Sequence, residues 1–217
     1  IPTKALIASA EVFQTITEAE EFGIDIDGTA TPDWPAIMTR KDKIVETLRN
    51  GIGALLKSNK VKVYKGTAAF ASRRQIRIAD ADGNEETIET NKTILATGSV
   101  SVRPGFIPKA KNILYSKEAL ASEKLPKDIL VLGGGVIGCE FACMYARFGV
   151  KVTLVEMLPE ILPMVDKDVA RVVRKSMKQL GIDILTGTAM EDIKSSRGTI
   201  TAKVGDIKLS ASTMLVC

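Results

Sequence analysis

Apolar positions along this chain recur with two periods, and each change of period marks an element. Residues 3–19 carry Ala5, Leu6, Ala8, Val12, Phe13 and Ile16 near helical spacing, which predicts a helix closed by Gly23. A polar loop follows over 24–33. Asp33 is placed to cap the next helix, and Pro35 falls in its first turn, where a missing N–H is tolerated. From Trp34 to about Asn59, the positions Ile37, Ile44, Val45, Leu48, Ile52, Leu55 and Leu56 form one stripe of a long amphipathic helix. The period then drops to 2. Val61–Tyr64 reads as a strand, Gly66-Thr67-Ala68 follows, and Ile76–Ile78 and Glu86–Ile88 flank Asp82-Gly83-Asn84 as an antiparallel hairpin. Thr93-Ile94-Leu95-Ala96-Thr97-Gly98-Ser99 reads as a buried strand ending in a turn of small residues.

Pro104, Gly105 and Pro108 make 100–110 an irregular connector, and Ser116–Leu120 reads as a short capped helix. A domain boundary is expected near 116–126, dividing the chain into 1–115 and 116–217. The strand Ile129-Leu130-Val131-Leu132 then enters a run of glycines, and an apolar, helix-compatible stretch continues to Gly149. Val152–Val155 is a second strand. Val165, Val169, Val172, Val173, Met177 and Leu180 give a helix stopped by Gly181, and Ile182–Leu185 a third strand. Alternation near 189–194, 199–204 and 206–210 predicts an antiparallel excursion, and Thr213–Cys217 a last apolar strand. This order is that of an α/β, Rossmann-like fold: a three-layer arrangement around a parallel sheet, with an antiparallel β insert.

The glycines carry the first candidate chemistry. Gly133, Gly135 and Gly138 match Gly-x-Gly-x-x-Gly between a strand and a helix. Gly133 would allow the sharp turn, Gly135 the close approach of a pyrophosphate, and Gly138 tight packing of helix on strand. The phosphates would rest on the helix N-terminus, where free N–H groups and the macrodipole favour anions. Glu156 ends the next strand, 18 residues after Gly138. An acid near that offset is suited to both hydroxyls of an adenosine ribose and would repel a 2′-phosphate, which points to NAD rather than NADP. The alternative is a plain βαβ connector with no ligand.

Composition narrows the classes. A hydrophobic fraction of 45% with 26% charged residues supports a packed core rather than disorder. The net charge of +4 is spread without basic blocks, so nucleic-acid binding is not indicated. No apolar run has membrane-spanning length. Three cysteines, Cys139, Cys143 and Cys217, suit a reducing, cytoplasmic setting. Cys139 and Cys143 share a helix face and read as small apolar core residues rather than metal ligands, and Cys217 reads as core. There is no histidine, the commonest general base. No residue of this chain is assigned a catalytic role. Glu140 is the only acid between Val136 and Phe148. Either it has a cationic partner or it is a favourable acid in the first turns of a helix. The start at Ile1 and the stop within an apolar strand suggest a fragment of a longer protein.

Taken together, Ile-Pro-Thr-Lys-Ala-Leu at 1–6, Ile-Leu-Ala-Thr-Gly-Ser at 94–99, and Gly-Gly-Gly-Val-Ile-Gly-Cys-Glu at 133–140 with Glu156 resemble the dihydrolipoamide dehydrogenases of the FAD-dependent pyridine nucleotide–disulfide oxidoreductase family. The matches occur in family order and span essentially the whole chain. The resemblance implies a partial FAD-binding domain over 1–115 and an NAD-binding domain over 116–217. Lys4 would lie by the flavin ring and pair with Glu140. The backbone around Ala68 would contact the FAD adenosine, and Thr97, Gly98 and Ser99 would line the FAD site. Gly133, Gly134, Gly135, Val136, Ile137, Gly138 and Glu156 would bind NAD, with Met190 against the adenine. The family's Cys-x4-Cys redox pair, which directly precedes Ile-Pro-x-Lys, its first FAD motif and its dimerisation domain with a His–Glu pair have no counterpart in these residues. The implied reaction oxidises dihydrolipoamide, carried on an acyltransferase or a glycine-cleavage carrier protein, through a disulfide and FAD to NAD⁺, in a homodimer. The alternatives are a relative that reduces another disulfide or a metal ion with NAD(P)H, and a non-catalytic NAD-binding module.

Overall fold

The computed structural model describes residues 1–217. In chain order it contains α1 (Pro2–Thr17), a single 3-10 turn (Ala19–Phe22), α2 (Trp34–Ser58), β1 (Thr67–Phe70), β2 (Gln75–Ala79), β3 (Glu85–Glu89), β4 (Ile113–Tyr115) and α3 (Ser116–Ala119). There follow β5 (Asp128–Leu132), α4 (Val136–Arg147), β6 (Lys151–Glu156), α5 (Lys167–Gln179), β7 (Asp183–Thr186), β8 (Met190–Ser196), β9 (Thr199–Val204), β10 (Ile207–Ala211) and β11 (Thr213–Val216). Residues 1–45 and 101–217 form one unit and 46–100 a second. No helix is long and apolar enough to cross a membrane.

The first unit is built on a five-stranded parallel sheet in the order β4-β11-β5-β6-β7. Its central strands are buried on both faces, so they read as continuous apolar runs rather than alternating ones. The alternation instead assigns each residue to a layer. Ile129 and Val131 pack with Leu6, Ala10, Trp34, Phe141 and Tyr145 on the helical side. Leu130 packs with Val155, Met190, Ile200, Ala202 and Met214 on the other side, which the antiparallel sheet β10-β9-β8 covers. The expected three layers and antiparallel insert are therefore present. β8 is irregular between Glu191 and Lys194, where Asp192 adopts φ +52°.

The helix ends follow the predicted chemistry. Asp33 accepts the Ala36 N–H at 3.0 Å, Asp166 caps α5 by accepting the Asp168 N–H at 2.9 Å, and Gly23 and Gly181 take left-handed conformations at the expected stops. α3 forms as expected but has no side-chain cap.

The second unit contains the expected hairpin, with Ile76 opposite Ile88, extended by β1 into a three-stranded meander. Two expectations fail here. Val61–Tyr64 is not a strand, and pairing begins only at Thr67. Thr93–Ser99 is neither a strand nor buried; Ile94 is 91% and Leu95 71% exposed. In both cases no other segment offers a ladder, and an apolar run without a neighbouring strand has no way to satisfy its backbone as sheet. Cys217, expected in the core, is exposed just past β11, although its N–H still reaches the Leu132 carbonyl at 2.9 Å.

Candidate functional site

The site grows from the junction of β5 and α4. Gly133 holds φ +110°, and a side chain there would also strike the Cys217 carbonyl oxygen at 2.6 Å. At Gly138 a Cβ would lie 1.9 Å from the Gly133 carbonyl oxygen, so the helix crosses the strand where only glycine fits. Gly135 is different. Its φ of −71° suits any residue, and nothing lies within 4 Å of the place a Cβ would occupy. Neither the backbone nor the interior requires glycine there.

Gly135 is also the N-cap of α4. No side chain caps this end, and no acidic residue lies in its first turn. Val136 is 57% and Ile137 50% exposed. The N–H groups and positive end of the helix dipole thus face open space with no anionic partner from the chain, an arrangement that can hold a phosphate.

Glu156 closes one side of the turn. It is buried, and both carboxylate oxygens accept backbone N–H groups: Oε2 from Gly134 at 2.7 Å and Oε1 from Leu158 at 2.8 Å. An ionised carboxylate offers about four lone-pair sites, so two remain for a diol. The residue therefore has a role that its offset from the glycines did not reveal: it holds the turn itself. On the opposite side the Gly134 carbonyl accepts from the Leu162 N–H at 2.8 Å and from the Cys139 thiol at 3.4 Å. Burial pushes the Cys139 thiol up to about 12, which keeps it protonated and a donor at neutral pH.

Lys4 of α1 and Glu140 of α4 form an ion pair. This resolves the two readings of Glu140 in favour of a cationic partner. With Lys4 70% and Glu140 30% exposed, the pair contributes at most about 1 kcal/mol to stability. A second link between the same helices joins Arg147 Nε to Gln14 Oε1 at 2.8 Å.

Met190, the first residue of β8, is buried against Leu130, Val155 and Met214 of the parallel sheet. Ala68 sits exposed in β1, and Thr97, Gly98 and Ser99 lie exposed in the irregular segment. Sequence reasoning missed the segment after Glu156. There Ile161 is fully buried, Leu162 has φ +54°, and Arg174 bonds Glu160 at 2.9 Å and Thr186 Oγ1 at 3.2 Å. Pro159 and Pro163 identify this stretch as a loop, but an ion pair between it and the middle of α5 leaves no local pattern to read.

Known proteins resemble the chain along its whole length. The pyridine nucleotide-disulphide oxidoreductase family matches residues 1–217. A dihydrolipoyl dehydrogenase of Chlamydia pneumoniae is 40% identical over 95% of this chain and 44% of its own length. One of Bacillus subtilis is 35% identical over 100% of this chain and 48% of its own. Among solved structures, LpdA of Mycobacterium tuberculosis superimposes with a TM-score of 0.87 at 25% identity, covering 100% of this chain and 48% of that one. RclA of Escherichia coli, an HOCl-induced flavoprotein disulfide reductase, superimposes with a TM-score of 0.81 at 26% identity, covering 100% and 45%. The chain thus spans about half the length of these relatives. An uncapped helix behind a glycine turn, an acid at the end of the next strand and a match along every residue lead to one conclusion: the chain belongs to the pyridine nucleotide-disulphide oxidoreductase family.

Proposed function

We propose that this chain is the nicotinamide-binding part, with a share of the flavin-binding part, of a dihydrolipoyl dehydrogenase. Residues 116–217 would carry NAD and residues 1–115 would contribute to FAD binding. In the whole enzyme, dihydrolipoamide on a carrier protein would be oxidised to its disulfide, two electrons and one proton would pass to NAD⁺, and the second proton would be released to water. FAD would supply the step between thiol and nicotinamide chemistry. The parent would work as a homodimer in the cytoplasm.

The observation that carries this reading is Gly135. It is a glycine with ordinary φ and no neighbour, at the uncapped N-terminus of α4, so the missing side chain is explained by what approaches from outside. The residues of this chain have definite tasks in the proposal. The first N–H groups of α4 would hold the pyrophosphate, and the remaining lone pairs of Glu156 the ribose hydroxyls. Val136 and Ile137 would cover the dinucleotide with apolar surface. Lys4, held by Glu140, would present a cation to the flavin side. Thr97, Gly98, Ser99 and Ala68 would complete the FAD contacts, and Met190 would support the adenine.

The test is titration of the purified chain with NADH and NADPH, alongside its visible absorbance. NADH should bind and NADPH should bind at least tenfold more weakly, since the buried Glu156 carboxylate would face the 2′ position. Equal affinity would overturn the assignment of Glu156. No binding of either would overturn the nucleotide reading. A flavin spectrum would separate the two-cofactor reading from an NAD-only module.

A further inference from the structure

We propose that Arg174 is a positioning residue for the glycine turn, acting through Glu160 and the segment 157–162. The inference rests on the turn being the nucleotide site.

Beyond its ladder bond from the Gly133 N–H to the Val155 carbonyl at 2.9 Å, the turn is held at Gly134. Both backbone groups of Gly134 are held by residues 156–162: its N–H by the Glu156 carboxylate at 2.7 Å, its carbonyl by the Leu162 N–H at 2.8 Å. Ile161 seals the contact, with its Cγ2 3.0 Å from where a Gly134 Cβ would stand. The geometry of the turn is therefore copied from the geometry of this segment.

The segment needs fixing. Leu162 sits at φ +54°, a left-handed conformation that a leucine holds only when its surroundings determine it. One end is anchored at β7, where the Gly187 N–H is shared between the carbonyls of Glu156 at 3.0 Å and Leu158 at 2.8 Å. The other end is anchored by Glu160. Its Oε1 accepts the Ile161 N–H at 3.0 Å and Arg174 Nη1 at 2.9 Å, while Arg174 Nη2 donates to Thr186 Oγ1 at 3.2 Å. Arg174 is partly buried on α5, with 25% of its side chain exposed. One planar guanidinium thus ties α5, the tip of β7 and the residue immediately before Ile161 into one frame. A lysine could reach either Glu160 or Thr186 but lacks the fork to hold both.

The experiment measures NADH affinity by fluorescence titration, and thermal unfolding, for the wild-type chain and four variants. Arg174→Met should raise the Kd for NADH about fivefold, through loss of the bonds to both Glu160 and Thr186. Arg174→Lys should recover part of that. Glu160→Gln keeps an acceptor for Ile161 and should raise the Kd about twofold. Thr186→Val, which removes the second acceptor of the guanidinium fork, should raise the Kd about twofold. An unchanged Kd in both Arg174→Met and Glu160→Gln overturns the proposal. So does an Arg174→Lys variant as weak as Arg174→Met, because the loss then does not depend on the cation that Glu160 accepts. A wild-type chain that does not bind NADH overturns the nucleotide reading first, and the positioning role with it.

Discussion

Two stretches of this chain look alike in sequence and end up opposite in structure. Ile129–Leu132 and Thr93–Ser99 are both short apolar runs that lead into a glycine, Gly133 or Gly98, and both predict a buried strand feeding a turn. Ile129 and Leu130 are 1% and 2% exposed, whereas Ile94 and Leu95 are 91% and 71% exposed. The difference lies in what stands beside them. β5 is paired in register with β11 on one side and β6 on the other. Thr93–Ser99 has no strand on either side. An apolar run states a capacity for burial, and the neighbouring ladders decide whether that capacity is used.

Substitutions can break or sharpen the contrast. Leu130→Ala should have the largest effect, lowering unfolding stability by about 2–5 kcal/mol through lost burial and a cavity between two layers; chemical denaturation would report it. Glu156→Ala should cost about 1–3 kcal/mol in NADH affinity. It should also lower the melting temperature, because the Gly134 and Leu158 N–H groups lose their acceptor. A loss of affinity with no loss of stability would contradict the turn-holding role. Gly135→Ser should weaken NADH binding about tenfold while leaving stability within about 0.5 kcal/mol, since serine is a good N-cap and the space is open. Calorimetric titration and thermal melts together would check it. Leu95→Ala should have the smallest effect, within about 0.5 kcal/mol of wild type by denaturation. A larger loss would mean that Leu95 is buried in the protein and that the contrast with Leu130 is false.

Much of the first unit was legible because its signals are local. Gly133 and Gly138 announce a turn and a close crossing, Asp33 announces a helix start, and period 2 separates Ile129 from Leu130 by layer. The pairing of Glu140 became legible only through family resemblance. An isolated carboxylate on an apolar helix asks for a partner without saying where it is, and Lys4 is 136 residues away. The grip of Glu156 on the turn was invisible because hydrogen bonds from backbone N–H groups carry no residue identity. The Arg174–Glu160 link was invisible because α5 is rich in cations and nothing local distinguishes the one that bonds. Val61–Tyr64 and Thr93–Ser99 were misread for one reason: strand pairing is a property of two segments, and only one of them was in view.

The side-by-side contact of α1 and α4 has a consequence in time. Lys4 meets Glu140 and Gln14 meets Arg147 across 136 and 133 residues of chain. On a ribosome adding roughly 5–20 residues per second, α1 emerges on the order of ten seconds before the helix that covers it. During that interval Leu6 and Ala10, fully buried in the finished fold, have no native partner on α4. Trp34, the only tryptophan, packs edge-on against Phe148 at 5.6 Å, so its fluorescence should follow the moment when this wait ends.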